Sequence, residues 1–573
     1  MAKIYTSMLN RRLQTFLEKN DLLSDNQNGF RKARSCIDHI FVMCTVLRNR
    51  KALKKETFLC FIDFQKAFDS VDRNLLMHKL ANIGLDGSMY KSILSLYSNP
   101  RSRVILQGHH TEYFDCTIGV KQGDSLSPTL FAIFINDLAQ EIESSGIGVP
   151  LELLDTNSSI VETMILGILL YADDIVLFAP DEECLQSLLS IVELWCQKYR
   201  LDVNLSKTNI LHVRAKQKPQ SKYVFLFNKR PVPYCLVYKY LGCYFNEFMD
   251  YSYTAKMQAD SAGRALSALI SKMIKNKGFS YNVYSMLYQA CVCSISLYGS
   301  EIFGYERYDS LFNLHVRAIR GFLGLPKNTA SYGLVSEVDW LLPQYQAHVK
   351  MVQHFKRILC TENHRLLKRV YLWDYNLKTI KNIRTWCSEV ESILNEHNLG
   401  RIFEVQQVFP HDTILRLKSS LNAKQQNLLE NECLNKVKLR TFNKIKDFTK
   451  LAPYISKPLS FIERKTMNKL RLGILPLRIE TARFLRPIIP EEQRVCFCNS
   501  KDVESELHFM FICSKYNSLR EAWLQKLDLP ADFENLTQIE KMNIVINEPE
   551  NVKPTAKYLV AALDLRSTVN KDY

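Results

Sequence analysis

The sequence predicts an α+β chain: mixed helix and strand to about residue 250, mainly helix to about residue 485, then a small Cys/His module. Three observations carry this. Apolar runs of strand length alternate with segments of helical period in the first part. Long helical patterns such as SAGRALSALISKMIKN dominate beyond residue 250. Cys496, Cys498, His508 and Cys513 then fall close together in RVCFCNSKDVESELHFMFICSKYNSLR. With 573 residues the chain is too long for one core, so three or four domains are expected.

The elements follow in order. RRLQTFLEKNDLL has helical period, and the polar SDNQNGFRKARS after it is a loop. FLCFIDF (58–64) is a strand, and VDRNLLMHKLANIGL a helix with apolar positions recurring at three and four. SRVILQG and DCTIGVKQG flank a hairpin-like region, and SPTLFAIFINDLAQEIESS is an amphipathic helix. TMILGILLYADDIVLFAP gives an apolar strand, a turn and a second apolar strand. EECLQSLLSIVELWCQKYRL is a helix and YKYLGCYF a short strand pair. No internal repeat or low-complexity tract interrupts the chain.

Hydrophobic residues make up 47% and charged residues 23%, the composition of a folded protein. No run of about eighteen uncharged apolar residues occurs, and the start, MAKIYTSMLNRRLQTF, has no signal-peptide core. An intracellular protein without a membrane partner is the expectation. The formal net charge of +16 suits a polyanionic partner, since phosphate contacts release condensed counterions, although solubility alone also uses surface charge. Of the sixteen cysteines, Cys36, Cys44, Cys60, Cys243 and Cys291 stand in apolar company and read as reduced core residues.

The stretch LLYADDIVLF (169–178) sets Asp173 and Asp174 between apolar strands. Alone, the pair reads as a surface turn, where Asp is at home. A second strand, FLCFIDFQKAFDSVD, also runs into an acid, Asp63. Acids at the ends of neighbouring strands can converge on two divalent cations about 3.5–4 Å apart, the arrangement that serves in-line phosphoryl displacement. Magnesium favours such oxygen ligands and shares them with substrate phosphates.

FIDFQKAFDSVD, GVKQGDSLSP, YADD, NLSKTN and YKYLGCYF occur in the order of the palm motifs of reverse transcriptases, and QNGFRKARSCIDHI precedes them. The chain resembles the polymerase of non-long-terminal-repeat (LINE-type) retrotransposons. The resemblance implies a right-hand polymerase with partial fingers and palm over 1–247 and thumb with connection over 248–345. A helical C-terminal region over 346–485 and a zinc-knuckle-like module with tail over 486–573 would follow. It further implies an N-terminally truncated chain, with part of the fingers and the usual upstream endonuclease missing.

By the same resemblance Asp63, Asp173 and Asp174 would hold two magnesium ions, with manganese as the alternative, and Asp174 would be the least essential. The main chain of Phe64 would help hold the triphosphate. Phe68 would be the steric gate that excludes a ribose 2′-hydroxyl, its alternative being an ordinary core aromatic. Gln122 would touch nucleotide and template, and Gly123 would allow close backbone approach. Lys207 would be the general acid for pyrophosphate, or a solvated loop lysine. Leu241 and Gly242 would shape the primer grip. Arg31 and Arg34 would contact phosphate, or simply be exposed charge. Lys256, Arg264, Lys272, Lys275 and Lys277 would track a template–primer backbone, or form a solvated face. Cys496, Cys498, His508 and Cys513 have the order of a Cys-Cys-His-Cys zinc site, with buried thiols beside a core histidine as the alternative.

The implied partners are an RNA template, a DNA primer or target, and deoxynucleoside triphosphates, met in nucleus and cytoplasm. RNA-templated DNA synthesis is the first expectation. A retrotransposon remnant that only binds nucleic acid is the second. An RNA-dependent RNA polymerase is the third, and Phe68 counts against it. The oligomeric state is not legible.

Overall fold

The structure, a computed structural model, describes residues 2–498 and 500–569 and divides them into two compact units. The first holds the chain up to Thr254 together with Glu301–Tyr305 and Met351–Phe409. The second holds Ala255–Ser300, Glu306–Lys350 and the chain from Pro410 onward.

The first unit begins with helices α1 (Ala2–Lys19) and α2 (Cys36–Ala52), then strand β1 (Thr57–Ile62) and helix α3 (Arg73–Asn82). Helix α4 (Ser127–Ser145), strands β2 (Ile168–Tyr171) and β3 (Asp174–Ala179), helix α5 (Glu182–Tyr199) and strand β4 (Asn209–Val213) complete its centre. Local chemistry sets the helix ends. Pro128 sits in the first turn of α4, and Gly146 closes that helix with φ 66°, a left-handed conformation that suits glycine. The Asp181 carboxylate accepts from the Cys184 N–H at 2.8 Å and caps α5.

The four strands form one antiparallel sheet in the order β4-β1-β3-β2. One face carries Phe58, Cys60, Ile62, Leu170 and Leu177 into a core shared with Leu130 and Phe134 of α4 and Leu188 and Trp195 of α5. On the other face Phe61 stacks on Tyr238 with ring centroids 3.9 Å apart. Both faces are covered, which is why these strands read as unbroken apolar runs. The expected first strand of the TMILGILLYADD segment is two strands, Ile160–Leu166 and β2, separated at Gly167. There a Cβ would meet the Ile147 carbonyl oxygen at 2.5 Å.

The part of this unit that sequence order would not suggest is Met351–Phe409. It is tied to α2 through Asn49 to Asp374 (2.7 Å), Arg48 to Glu389 (2.7 Å) and the ion pair of Arg357 with Asp38 (2.6 Å). Ring contacts of Phe41 with Trp386 and His354 fill the space between.

The second unit is helical. The rings of Tyr284, Tyr288 and Trp340 stack within its core, with Tyr288 and Trp340 4.3 Å apart. It also buries the Arg471–Glu337 pair, two bonds of 2.8 and 3.1 Å between side chains 1% and 0% exposed. Among the described residues no helix is long and apolar enough to cross a membrane. Cys44, Cys60 and Cys243 are buried as expected, but Cys36 is half-buried and Cys291 is exposed. Cys291 lies in a π-helical turn, Gln289–Cys293, whose inward face is taken by Val292 and Cys293.

Candidate active site

Strand register brings the acids together. β1 pairs with β3 at Ile62 and Ile175, so the next residues along, Asp63 and Asp174, stand opposite one another at the strand ends. β2 and β3 form a hairpin closed by the pair Tyr171–Asp174, which leaves only Ala172 and Asp173 in the turn. Ala172 takes φ 58°, and the tightness of this turn sets Asp173 beside Asp63. Asp63 is held from the other side, where its carbonyl accepts from the Asn204 N–H at 2.7 Å and its N–H donates to the Thr208 hydroxyl at 3.4 Å. The NLSKTN turn thereby carries Lys207 to the site, with Nζ 3.5 Å from the Asp63 carboxylate.

The three carboxyls crowd one another. Burial and then the Asp63 charge push Asp173 upward, opposed by its own backbone hydrogen bond and by Lys207. Asp174 is pushed up to about 6, by partial burial at the strand end, then by Asp173 and Asp63. Three oxygen-donor groups crowded at one point make a set whose charge a hard divalent cation would neutralise.

The residues around the acids form a second locked group. The Val120 N–H donates to the Phe68 carbonyl at 2.9 Å and the Gly119 N–H to the Val71 carbonyl at 2.8 Å. Gly119 is required there, because a Cβ would lie 2.6 Å from the Asp69 carbonyl oxygen. Arg73 fastens the same loop by donating to the carbonyls of Cys116, Ile118 and Gly119. The Gln122 amide donates to both Asp69 oxygens at 2.8 and 2.9 Å, and Gly123 follows at φ 77°. Phe68 is half-buried and stacks on Phe131 at 4.6 Å, whereas Phe64 is buried near Trp195, leaving only its main chain toward the strand end. Leu241 and Gly242, at φ 45° and 84°, make the two-residue turn between the Val237–Tyr240 and Cys243–Asn246 strands.

Arg31 and Arg34 correct the sequence reading. Neither is exposed: the Arg31 guanidinium makes two 2.8 Å bonds to Glu18 and reaches the carbonyls of Ser24 and Gln27 at 2.7 and 3.1 Å. Arg34 is ion-paired with Asp25 and bonded to Asn28 at 3.2 Å. Both cations are spent on holding the 24–28 loop and are not free for phosphate. By contrast, Lys256, Arg264, Lys272, Lys275 and Lys277 are all exposed.

Residues 1–245 match the family described as reverse transcriptase (RNA-dependent DNA polymerase). This part of the chain is similar to reverse transcriptase domains. The match takes in the three acids, the Phe68 and Gln122 loops and the Leu241–Gly242 turn. Over 257 residues, 43% of the chain, the sequence is 24% identical to 24% of a Retrovirus-related Pol polyprotein from type-1 retrotransposable element R2 of Nasonia vitripennis. Over 335 residues, 56% of the chain, it is 24% identical to 35% of a probable RNA-directed DNA polymerase from transposon BS of Drosophila melanogaster. The RNA-directed DNA polymerase from mobile element jockey of Drosophila funebris is 23% identical over 341 residues, 57% of the chain and 35% of that protein. The chain thus spans between a quarter and about a third of the length of these curated relatives.

A separate cluster lies in the second unit. Cys496, Cys498, His508 and Cys513 each offer one donor atom, all within 4.8 Å of one another. The Sγ atoms of Cys496 and Cys513 are 3.7 Å apart, and Cys498 Sγ is 3.3 Å from His508 Nε2. His508 Nδ1 faces the Asp502 carboxylate at 3.6 Å, so Nε2 is the nitrogen left for the cluster. The donor set can hold a metal ion in tetrahedral coordination.

Proposed function

We propose that this chain is an RNA-directed DNA polymerase of the non-long-terminal-repeat retrotransposon type, extending a primer 3′-hydroxyl with deoxynucleotides along an RNA template. The observation that carries the reading is the convergence of Asp63, Asp173 and Asp174 at the paired ends of β1 and β3. The reverse transcriptase family match and the similarity to RNA-directed DNA polymerases of retrotransposons support it. The three carboxylates would hold the divalent cations, magnesium or manganese, whose chemistry is to lower the cost of charge on the attacking and leaving oxygens. The protein's part is to fix the acids before substrate arrives, through the β2–β3 turn on one side and the Asn204–Asp63 bond on the other.

Phe68 would exclude a 2′-hydroxyl, held by its stack on Phe131. The Asp69–Gln122 bond would fix the loop on which the nucleotide base and template rest. Lys207, beside Asp63, would deliver a proton to the departing pyrophosphate. The Leu241–Gly242 turn would seat the primer end. In the second unit, the exposed Lys256, Arg264, Lys272, Lys275 and Lys277 would contact nucleic-acid backbone. A right-hand division into fingers, palm and thumb belongs to this reading, as do the four segments expected from the sequence.

Zinc is the ion proposed for the Cys/His cluster. Zn–S bonds of about 2.3 Å in a tetrahedron put sulfurs roughly 3.8 Å apart. The 3.7 Å between Cys496 and Cys513 supports that fit.

The test is primer extension on poly(rA)/oligo(dT) with magnesium and either dTTP or UTP. Extension with dTTP, lost by at least a hundredfold in Asp173→Ala, is expected. Salt-sensitive RNA binding without extension would make the chain a binding remnant, and preference for UTP would make it an RNA-dependent RNA polymerase.

A further inference from the structure

We propose that Gln27 is a positioning residue: it clamps the Ala172–Asp173 turn and so places Asp173 for cation binding, a role that rests on the polymerase reading above. Gln27 lies some 145 residues upstream of the turn and is 0% exposed. Its side-chain oxygen accepts two backbone bonds at once, from Gly29 N–H at 2.7 Å and Ala172 N–H at 3.2 Å. The main chain on either side of it runs along β2. The Leu170 N–H donates to the Asn26 carbonyl at 2.9 Å, and the Asn28 N–H donates to the Leu170 carbonyl at 3.0 Å. Gly29 lets this segment close on the turn, because a Cβ there would lie 2.3 Å from the Ala172 nitrogen. Arg31 completes the clamp by binding the Gln27 carbonyl at 3.1 Å while anchored to Glu18.

Two features set this contact apart from ordinary packing. Ala172 sits at φ 58°, a conformation that disfavours a residue with a Cβ. The Gln27 Nε2 group is buried with no hydrogen-bond partner. Both cost stability, and both fall in the one contact that fixes the residue next to Asp173. The amide orientation follows from its neighbours, since two N–H donors face the same atom and only an oxygen can receive them.

The full chain, its Gln27→Met and Gln27→Glu variants, and Asp173→Ala as the reference for a lost site are titrated with Mn2+ and followed by electron paramagnetic resonance. Each sample carries dTTP and poly(rA)/oligo(dT) ending in a dideoxynucleotide, so that no turnover contributes. Gln27→Met removes the acceptor at similar length and is expected to weaken Mn2+ binding at least tenfold. In extension assays with an ordinary primer it should lower kcat more than it raises KM for dTTP. Gln27→Glu keeps the acceptor and should recover Mn2+ affinity to within about threefold of the parent chain. Parent-like Mn2+ affinity in Gln27→Met, or an equal loss in Gln27→Glu, overturns the proposal. If Gln27→Met does not fold, Gln27→Asn carries the same prediction, and failure of both to fold overturns it by making the residue a structural one. A parent chain that binds Mn2+ yet extends no primer removes the polymerase reading, and the Mn2+ affinities still decide the clamp. Parent extension with unchanged affinity in Gln27→Met removes the clamp alone.

Discussion

At the scale of single residues, the acids are a case of position overriding preference. A carboxylate beside other carboxylates at a strand end is held above its ordinary titration range, as Asp174 is. Phe68 carries the clearest residue-level prediction. Phe68→Val should raise UTP incorporation relative to dTTP by at least tenfold, read from competitive primer extension. It should cost about 0.5–1.5 kcal/mol of stability through loss of the Phe131 stack. An unchanged dTTP-to-UTP ratio would reduce Phe68 to a packing residue.

Among elements, the second unit is pinned by charges that no surface reading would place. Burial opposes ionisation of Glu337, yet the charges of Arg471 and Lys446, with hydrogen bonds from Arg471 and Tyr454, hold its carboxyl below the usual range. Its stabilising effect is therefore present above about pH 4.5 and lost as pH falls through the depressed value. Glu337→Gln leaves the Arg471 charge buried without its partner and should cost about 3–5 kcal/mol in urea unfolding near neutral pH. The Cys/His module makes a second prediction at this scale. A zinc-selective chelator in magnesium-replete buffer should lower the Tm of the parent chain by several degrees, and Cys513→Ser should abolish that difference. Identical melting with and without chelator would leave the cluster as reduced thiols beside a histidine.

Across the whole molecule, the response to acid should come from histidine. His39, His315 and His354 are buried, and burial lowers each to about 3, aided by Arg34 at His39 and by Arg357 at His354. Their neutral forms are favoured in the folded chain. The stability they contribute is complete above pH 6.5 and is lost as pH falls from there toward 3, by up to about 1.4 kcal/mol per pH unit each. Asp174 acts in the opposite sense. Its raised value favours the protonated folded form, an advantage present below about pH 3.8 and lost as pH rises through about 6. Asp173 and Glu504 are raised in the same direction, but these carboxyls do not offset three histidines, so the urea midpoint should fall steadily between pH 7 and pH 5. A midpoint that stays level over that range would contradict the burial of these rings.

Asp63, Asp173 and the strands that carry them are legible in the sequence because an acid inside an apolar run is conspicuous whatever surrounds it. The Leu241–Gly242 turn is legible for a similar local reason, since a glycine between two short apolar runs marks a hairpin. Gln27 is not, because a buried glutamine in a polar loop looks like any solvated one. Arg31 and Arg34 read as free charge for the same reason: Glu18 and Asp25 lie 13 and 9 residues away and nothing local announces the pairing. The acids, the strands and the helical character of the chain beyond them are thus readable from residue order, all consequences of short-range pattern. That Asp174 faces Asp63, that Gln27 reaches Ala172 across 145 residues, and that Met351–Phe409 packs on α2 emerge only in the folded chain. Those depend on register and on the pairing of buried charges and amides, which are long-range properties that no window of sequence contains.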